Sequence, residues 1–136
     1  MINYRHYILS SLLLLLAMQA SSANACNRQL LSVEKWSIQP AGLQPKKLSI
    51  ALKSGARKAA IPSNASVIFE DTAGDMLFSS YLDKRLIFTP GQTQTVEIGL
   101  LEDDALEHMR KEDVRAYVCV RQIEYSDGRK ESFDLP

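Results

Sequence analysis

Lys47-Leu48-Ser49-Ile50-Ala51-Leu52-Lys53 places Leu48, Ile50 and Leu52 at every second position, with Ser49 and the flanking lysines on the alternate ones. A period of two over seven residues is the signature of a half-buried β-strand. Ser54-Gly55 ends the run, and Ala65, Val67 and Phe69 take up the same period from residue 64. Upstream, residues 29–38 form a further strand whose phase shifts: Leu31 and Val33 share one parity, Trp36 and Ile38 the other. A bulge or sheet switch near Glu34 accounts for that shift.

Downstream, the polar break Glu70-Asp71-Thr72-Ala73-Gly74-Asp75 separates Phe69 from Met76 and Phe78, which reads as a hairpin with a loop of three to five residues. Two aspartates in this loop are too few to bind calcium, which takes six to eight oxygens. A second hairpin is expected from Arg85-Leu86-Ile87-Phe88 through Pro90-Gly91 to Gln94, Val96, Ile98 and Leu100. Val114 to Ile123 is apolar at Val114, Ala116, Val118 and Val120 and again at Tyr117, Cys119 and Ile123, as a central strand covered on both faces would be. Ser126-Asp127-Gly128-Arg129 then turns the chain into a final strand, Lys130 to Phe133.

The strand pattern breaks only at 102–113, where Asp104 and Glu107 have capping-box spacing and predict one short helix around residues 103–110. The fold class is therefore all-β: seven or eight antiparallel strands with that helix, arranged as a Greek-key sandwich.

The first 25 residues read differently. Arg5 and His6 precede an aliphatic run from Ile8 to Leu16, and Ala23-Asn24-Ala25 meets the small-residue cleavage rule of a secretory signal peptide. Gln19, Ser21 and Ser22 interrupt the run well short of the roughly 20 apolar residues of a bilayer span. Cleavage after Ala25, or alternatively after Ala23, is expected, leaving residues 26–136 as a single domain without a transmembrane segment and locating it in the periplasm or outside the cell.

The leader contains one Arg or Lys and no acid, so the remaining chain has 15 basic against 16 acidic residues. A net charge near −1 excludes the basic stripe that nucleic acid demands. The pairs Lys46-Lys47, Arg57-Lys58 and Lys84-Arg85 fall at strand ends, where charge protects sheet edges.

Cys26 directly follows the cleavage site, and Cys119 is the only other cysteine. Three fates are open to Cys26. In an oxidising space it pairs with Cys119, closing a loop that the chain-entropy estimate values at about 4 to 5 kcal/mol. Alternatively it receives a lipid and anchors a lipoprotein, although Ala23 and Asn24 fit a lipobox poorly; or both thiols stay unpaired.

Within the last third, Met109-Arg110-Lys111-Glu112-Asp113-Val114-Arg115-Ala116-Tyr117-Val118-Cys119 resembles the E–F corner of immunoglobulin-like domains, whose pattern is Leu-x-x-x-Asp-x-Ala/Gly-x-Tyr-x-Cys. The resemblance implies a structural part for Asp113, a tyrosine corner in which the Tyr117 hydroxyl bonds back to upstream backbone, and Cys119 on the sixth strand of the family. Arg115 departs from the pattern, as do Trp36, which precedes the expected third strand, and Cys26, which lies at the N-terminus and not on the second strand.

No catalytic constellation emerges. His108 is the only histidine beyond the leader, and neither a phosphate loop nor a Cys-x-x-Cys pair occurs. No cofactor is expected. The function read from the chain is that of a noncatalytic binding module with an envelope or extracellular protein as partner, presenting Tyr125 and Asp127 of the last hairpin. The rival is an enzyme or metal protein built on residues 102–113, with Glu102, Asp103, Asp104 and His108 as its ligands. Asn64-Ala65-Ser66 matches a glycosylation sequon but falls at a strand start.

Overall fold

A computed structural model describes residues 26–133 apart from 41, 43–44 and 102–103, so the leader, its cleavage site, Glu102 and Asp103 lie outside the described residues. The alternation at 47–53 becomes β2 (Lys47–Ser54), flanked by β1 (Leu31–Gln39) and β5 (Thr93–Gly99) in a three-stranded antiparallel sheet of order β1-β2-β5. A second sheet has the order β4-β3-β6-β7, from β3 (Ala60–Asp71), β4 (Met76–Tyr81), β6 (Val114–Tyr125) and β7 (Lys130–Ser132). All pairings are antiparallel.

One apolar core lies between the sheets. Leu48, Ile50 and Leu52 of β2 pack in the same cluster as Val67 and Phe69 of β3 and Val118 and Val120 of β6. The phase shift in β1 is a bulge: Val33 pairs with Leu52 and Lys35 with Ala51, leaving Glu34 as the extra residue. Its consequence is that Leu31, Val33, Trp36 and Ile38 all pack toward the core despite their mixed parity. Trp36 then meets Phe69 edge to face at 5.2 Å, and Phe69 meets Phe78 at 6.1 Å.

Four expectations need correction. Residues 85–88 do not form a hairpin arm. Phe88 makes an isolated bridge to Ala60, and β5 pairs with β2, so the described residues form seven strands. The Leu86 and Phe88 alternation reflects their packing on the core, with Phe88 buried and no ladder to extend. β3 begins at Ala60, ahead of the expected residue 64, and register shifts between Ile61 and Ala65 accommodate Pro62. The sequon at Asn64 therefore lies within a central strand.

Ile123 faces the core with Val118 and Val120, although its parity matches Tyr117 and Cys119. Ala65 pairs with Val120 and Asn64 with Gln122, so Arg121 is the extra residue that resets the phase. The expected helix is not an α-helix: it is a 3-10 turn at Ala105–His108, followed by a second at Lys111–Asp113. The capping box does not form, although Asp104 still caps the turn. Asp104 accepts from the Leu106 N–H at 3.0 Å, while the Glu107 carboxylate turns away to pair with Lys46.

Cys26 and Cys119 form a disulfide with their Cα atoms 5.3 Å apart, and beside it Asn27 pairs with Val120 on the β6 margin that the short β7 leaves open. Such a bond fits an oxidising, non-cytoplasmic compartment. Among the described residues no helix is long and apolar enough to cross a membrane.

Candidate functional site

Two hairpin turns share one design. In the last hairpin the Gly128 N–H donates to the Tyr125 carbonyl at 2.9 Å and the Tyr125 N–H to the Arg129 carbonyl at 2.8 Å, a three-residue loop closed by a bulge. Gly128 has φ of +85°, which a side chain resists, and Asp127 accepts from the Arg129 N–H at 3.0 Å. The β3–β4 turn repeats the scheme, with Asp71 accepting from both Ala73 and Asp75 at 2.9 Å. That carboxylate oxygen is spent on its own turn.

The last hairpin forms one wall of an open cleft of about 580 Å³. Tyr125, Arg129, Lys130 and Glu131 line that wall; Gly55, Ala56, Arg57 and Lys58, from the connection between β2 and β3, line the other; Leu30 contributes apolar surface. Gly55 approaches the segment that precedes β1 closely, its N–H donating to the Leu30 carbonyl at 2.8 Å, which holds the β2–β3 connection beside the disulfide-anchored residues 26–30.

Tyr125 donates from its hydroxyl to Glu131 Oε2 at 2.7 Å, and Lys58 Nζ lies 6.0 Å from the ring centre. The bond to Glu131, reinforced by desolvation and by that carboxylate's charge, raises the phenol above its ordinary value. Asp127 receives Arg129 Nε at 2.7 Å. Its carboxyl is held below the usual range, first by the Arg129 backbone N–H, then by the Arg129 side chain, with Lys58 adding to the effect.

The remaining expected positions lie elsewhere. Tyr117 and Cys119 occupy the outer face of the four-stranded sheet. The Tyr117 hydroxyl donates to Glu70 Oε2 at 3.3 Å on the adjacent strand and does not reach upstream backbone, so the tyrosine-corner bond is absent. Arg28 stacks over that ring at 3.9 Å, and the face position directs the hydroxyl across the ladder. Burial raises the Tyr117 phenol, against the opposing charge of Arg28. Asp113 accepts from Arg110 Nε at 2.8 Å, and Trp36 receives Lys111 above its ring at 5.1 Å and on its carbonyl at 2.7 Å.

In the acidic segment, Asp104 caps its turn, Glu107 faces Lys46, and His108 is exposed. Among the described residues no three candidate ligands gather as a metal site. The cleft was not legible beforehand. Arg57-Lys58 and Arg129-Lys130 stand some seventy positions apart, and only the pairing of β3 with β6 brings them together.

Comparison with protein-family models, with curated proteins and with solved structures finds no match.

Proposed function

We propose that the mature chain is an exported, noncatalytic binding module of the periplasm, cell envelope or extracellular space, and that it engages another protein through the cleft at the β6–β7 hairpin. The observation that carries this reading is that two elements distant in sequence meet around Tyr125 to make a concave, partly apolar surface. The architecture supports it. The strand orders β1-β2-β5 and β4-β3-β6-β7 support our reading of an immunoglobulin-like Greek key, in which they would correspond to ABE facing C′CFG with the fourth strand carried across to the second sheet. Loops at the ends of such sandwiches are common binding surfaces. Disulfide formation uses the sulfur that a lipid thioether would need, which favours a released domain over a lipoprotein.

A photoreactive residue at exposed Ser126, introduced in the producing organism, should yield a discrete cross-linked product, and the same residue at exposed Ser37 of β1 should not. Equal products from both positions, or none from either, would overturn the assignment of the surface.

A further inference from the structure

We infer that the cleft takes an acidic peptide segment, one whose Asp or Glu side chains meet Arg57, Lys58 and Lys130; this rests on the binding-module reading and specifies the partner's chemistry. Four basic side chains border the cleft, in a chain whose acidic and basic residues balance overall. Arg129 is answered by Asp127 at 2.7 Å, and the one acid that lines the cleft, Glu131, is engaged by the Tyr125 hydroxyl. Arg57, Lys58 and Lys130 have no carboxylate within ion-pair distance among the described residues, and all three are exposed.

The contrast with the rest of the surface matters. Lys35, Lys53, Lys84 and Arg121 also hold no carboxylate within 4 Å among the described residues. What sets the cleft apart is the gathering of charge: four of its nine lining residues are basic and one is acidic. Leu30, Ala56 and the Tyr125 ring give apolar surface between the cations. Such a surface suits a peptide, whose aliphatic side chains and backbone would lie over the floor while its carboxylates reach the walls.

The test uses the oxidised mature protein and a fluorescein-labelled peptide of alternating Glu and Leu, with a Lys and Leu counterpart as control. Anisotropy should show saturable binding of the acidic peptide alone, weakening as salt is raised. The double variant Arg57→Glu with Lys130→Glu should bind at least about tenfold more weakly, since two attractions become repulsions. Lys35→Glu with Lys84→Glu, the same charge change away from the cleft, should bind as the parent does.

Absence of saturable binding, or equal loss in both double variants, would overturn the inference. So would binding of phosphatidylglycerol vesicles, with the same dependence on Arg57 and Lys130, in place of the peptide. Each of these outcomes leaves the cross-linking result at Ser126 standing, so the ligand class and the binding surface fail separately.

Discussion

Asn27 and Val120 exchange both backbone hydrogen bonds, at 2.8 and 3.0 Å, next to the bond joining Cys26 to Cys119. Residues 26 and 27 are thus fixed to the central strand β6 twice, once through backbone pairing and once covalently. Removing the covalent link leaves the isolated Asn27–Val120 bridge as the backbone pairing between this segment and β6.

The double variant Cys26→Ser with Cys119→Ser is therefore expected to lose about 2 to 5 kcal/mol of stability, most of it through the loop released in the unfolded chain. Urea unfolding followed by far-UV circular dichroism measures it. A midpoint equal to that of the oxidised parent would show that the bond contributes nothing.

The aromatic chain Trp36–Phe69–Phe78 joins the two sheets, with Phe69 fully buried at its centre and Trp36 as the only tryptophan. Phe69→Ala removes contacts on both sides and should cost about 3 to 5 kcal/mol, while Phe69→Leu, which refills most of the volume, should cost less. Trp36 fluorescence reports the same change locally, through a shift toward the emission of exposed indole. Equal stability of the two variants would place the energetic centre of the core elsewhere.

How much of this was readable beforehand follows from where the chain's regularities break. The bulge at Glu34 announced itself because four apolar residues changed parity within one strand. The bulge at Arg121 did not: β6 is apolar on both faces, so a slip of one residue moved Ile123 inward without a visible break in pattern. Leu86 and Phe88 misled for a related reason, since alternation records burial and says nothing about whether a neighbouring strand exists to pair with. The two glycine turns and the cysteine pair were legible, because local backbone chemistry and compartment constrain them tightly. The cleft was not. Its two walls follow from tertiary pairing, and paired basic residues at strand ends look the same whether or not another pair faces them.

Asp83 offers a titration test on the connection between β4 and β5. Arg85 grips its carboxylate, with Nη2 at 2.8 Å, Nε at 3.1 Å and the backbone N–H at 2.9 Å. The Arg85 side-chain bonds, then the backbone bond, lower the carboxyl to about 2 from 3.8. A carboxyl depressed in the folded state adds stability above its unfolded value, and that contribution is lost as pH falls from about 4 through about 2. Both partners are open to water, so the effect belongs to the titration curve more than to global stability. Carbon-detected NMR should find the Asp83 midpoint near 2 in the parent and well above it in Arg85→Gln; an unmoved midpoint would remove Arg85 as the cause.

Gly55 is where the cleft, the segment 26–30 and β2 meet, and its substitution separates space from backbone freedom. A Cβ at Gly55 would stand 2.6 Å from the Gln29 carbonyl oxygen, which is closer than real contacts permit. The obstructing segment has little room to yield. Gln29 and Leu30 both donate to Asn27 Oδ1, at 2.8 and 3.1 Å; Leu30 accepts from Gly55 itself; and Cys26 is held by its disulfide. Gly55→Ala should therefore destabilise by about 1 to 3 kcal/mol, as overpacking does, and shift the amide resonances of Ala56, Arg57 and Lys58 along the cleft wall. Gly99→Ala is the control. Nothing lies within 4 Å of its Cβ position and its φ is not in the left-handed region, so the added methyl should be neutral or slightly stabilising. Thermal unfolding of the two variants side by side decides the matter, because a shared loss would indict the removal of glycine in general, whereas a loss confined to position 55 identifies the Gln29 contact as what holds the cleft wall in place.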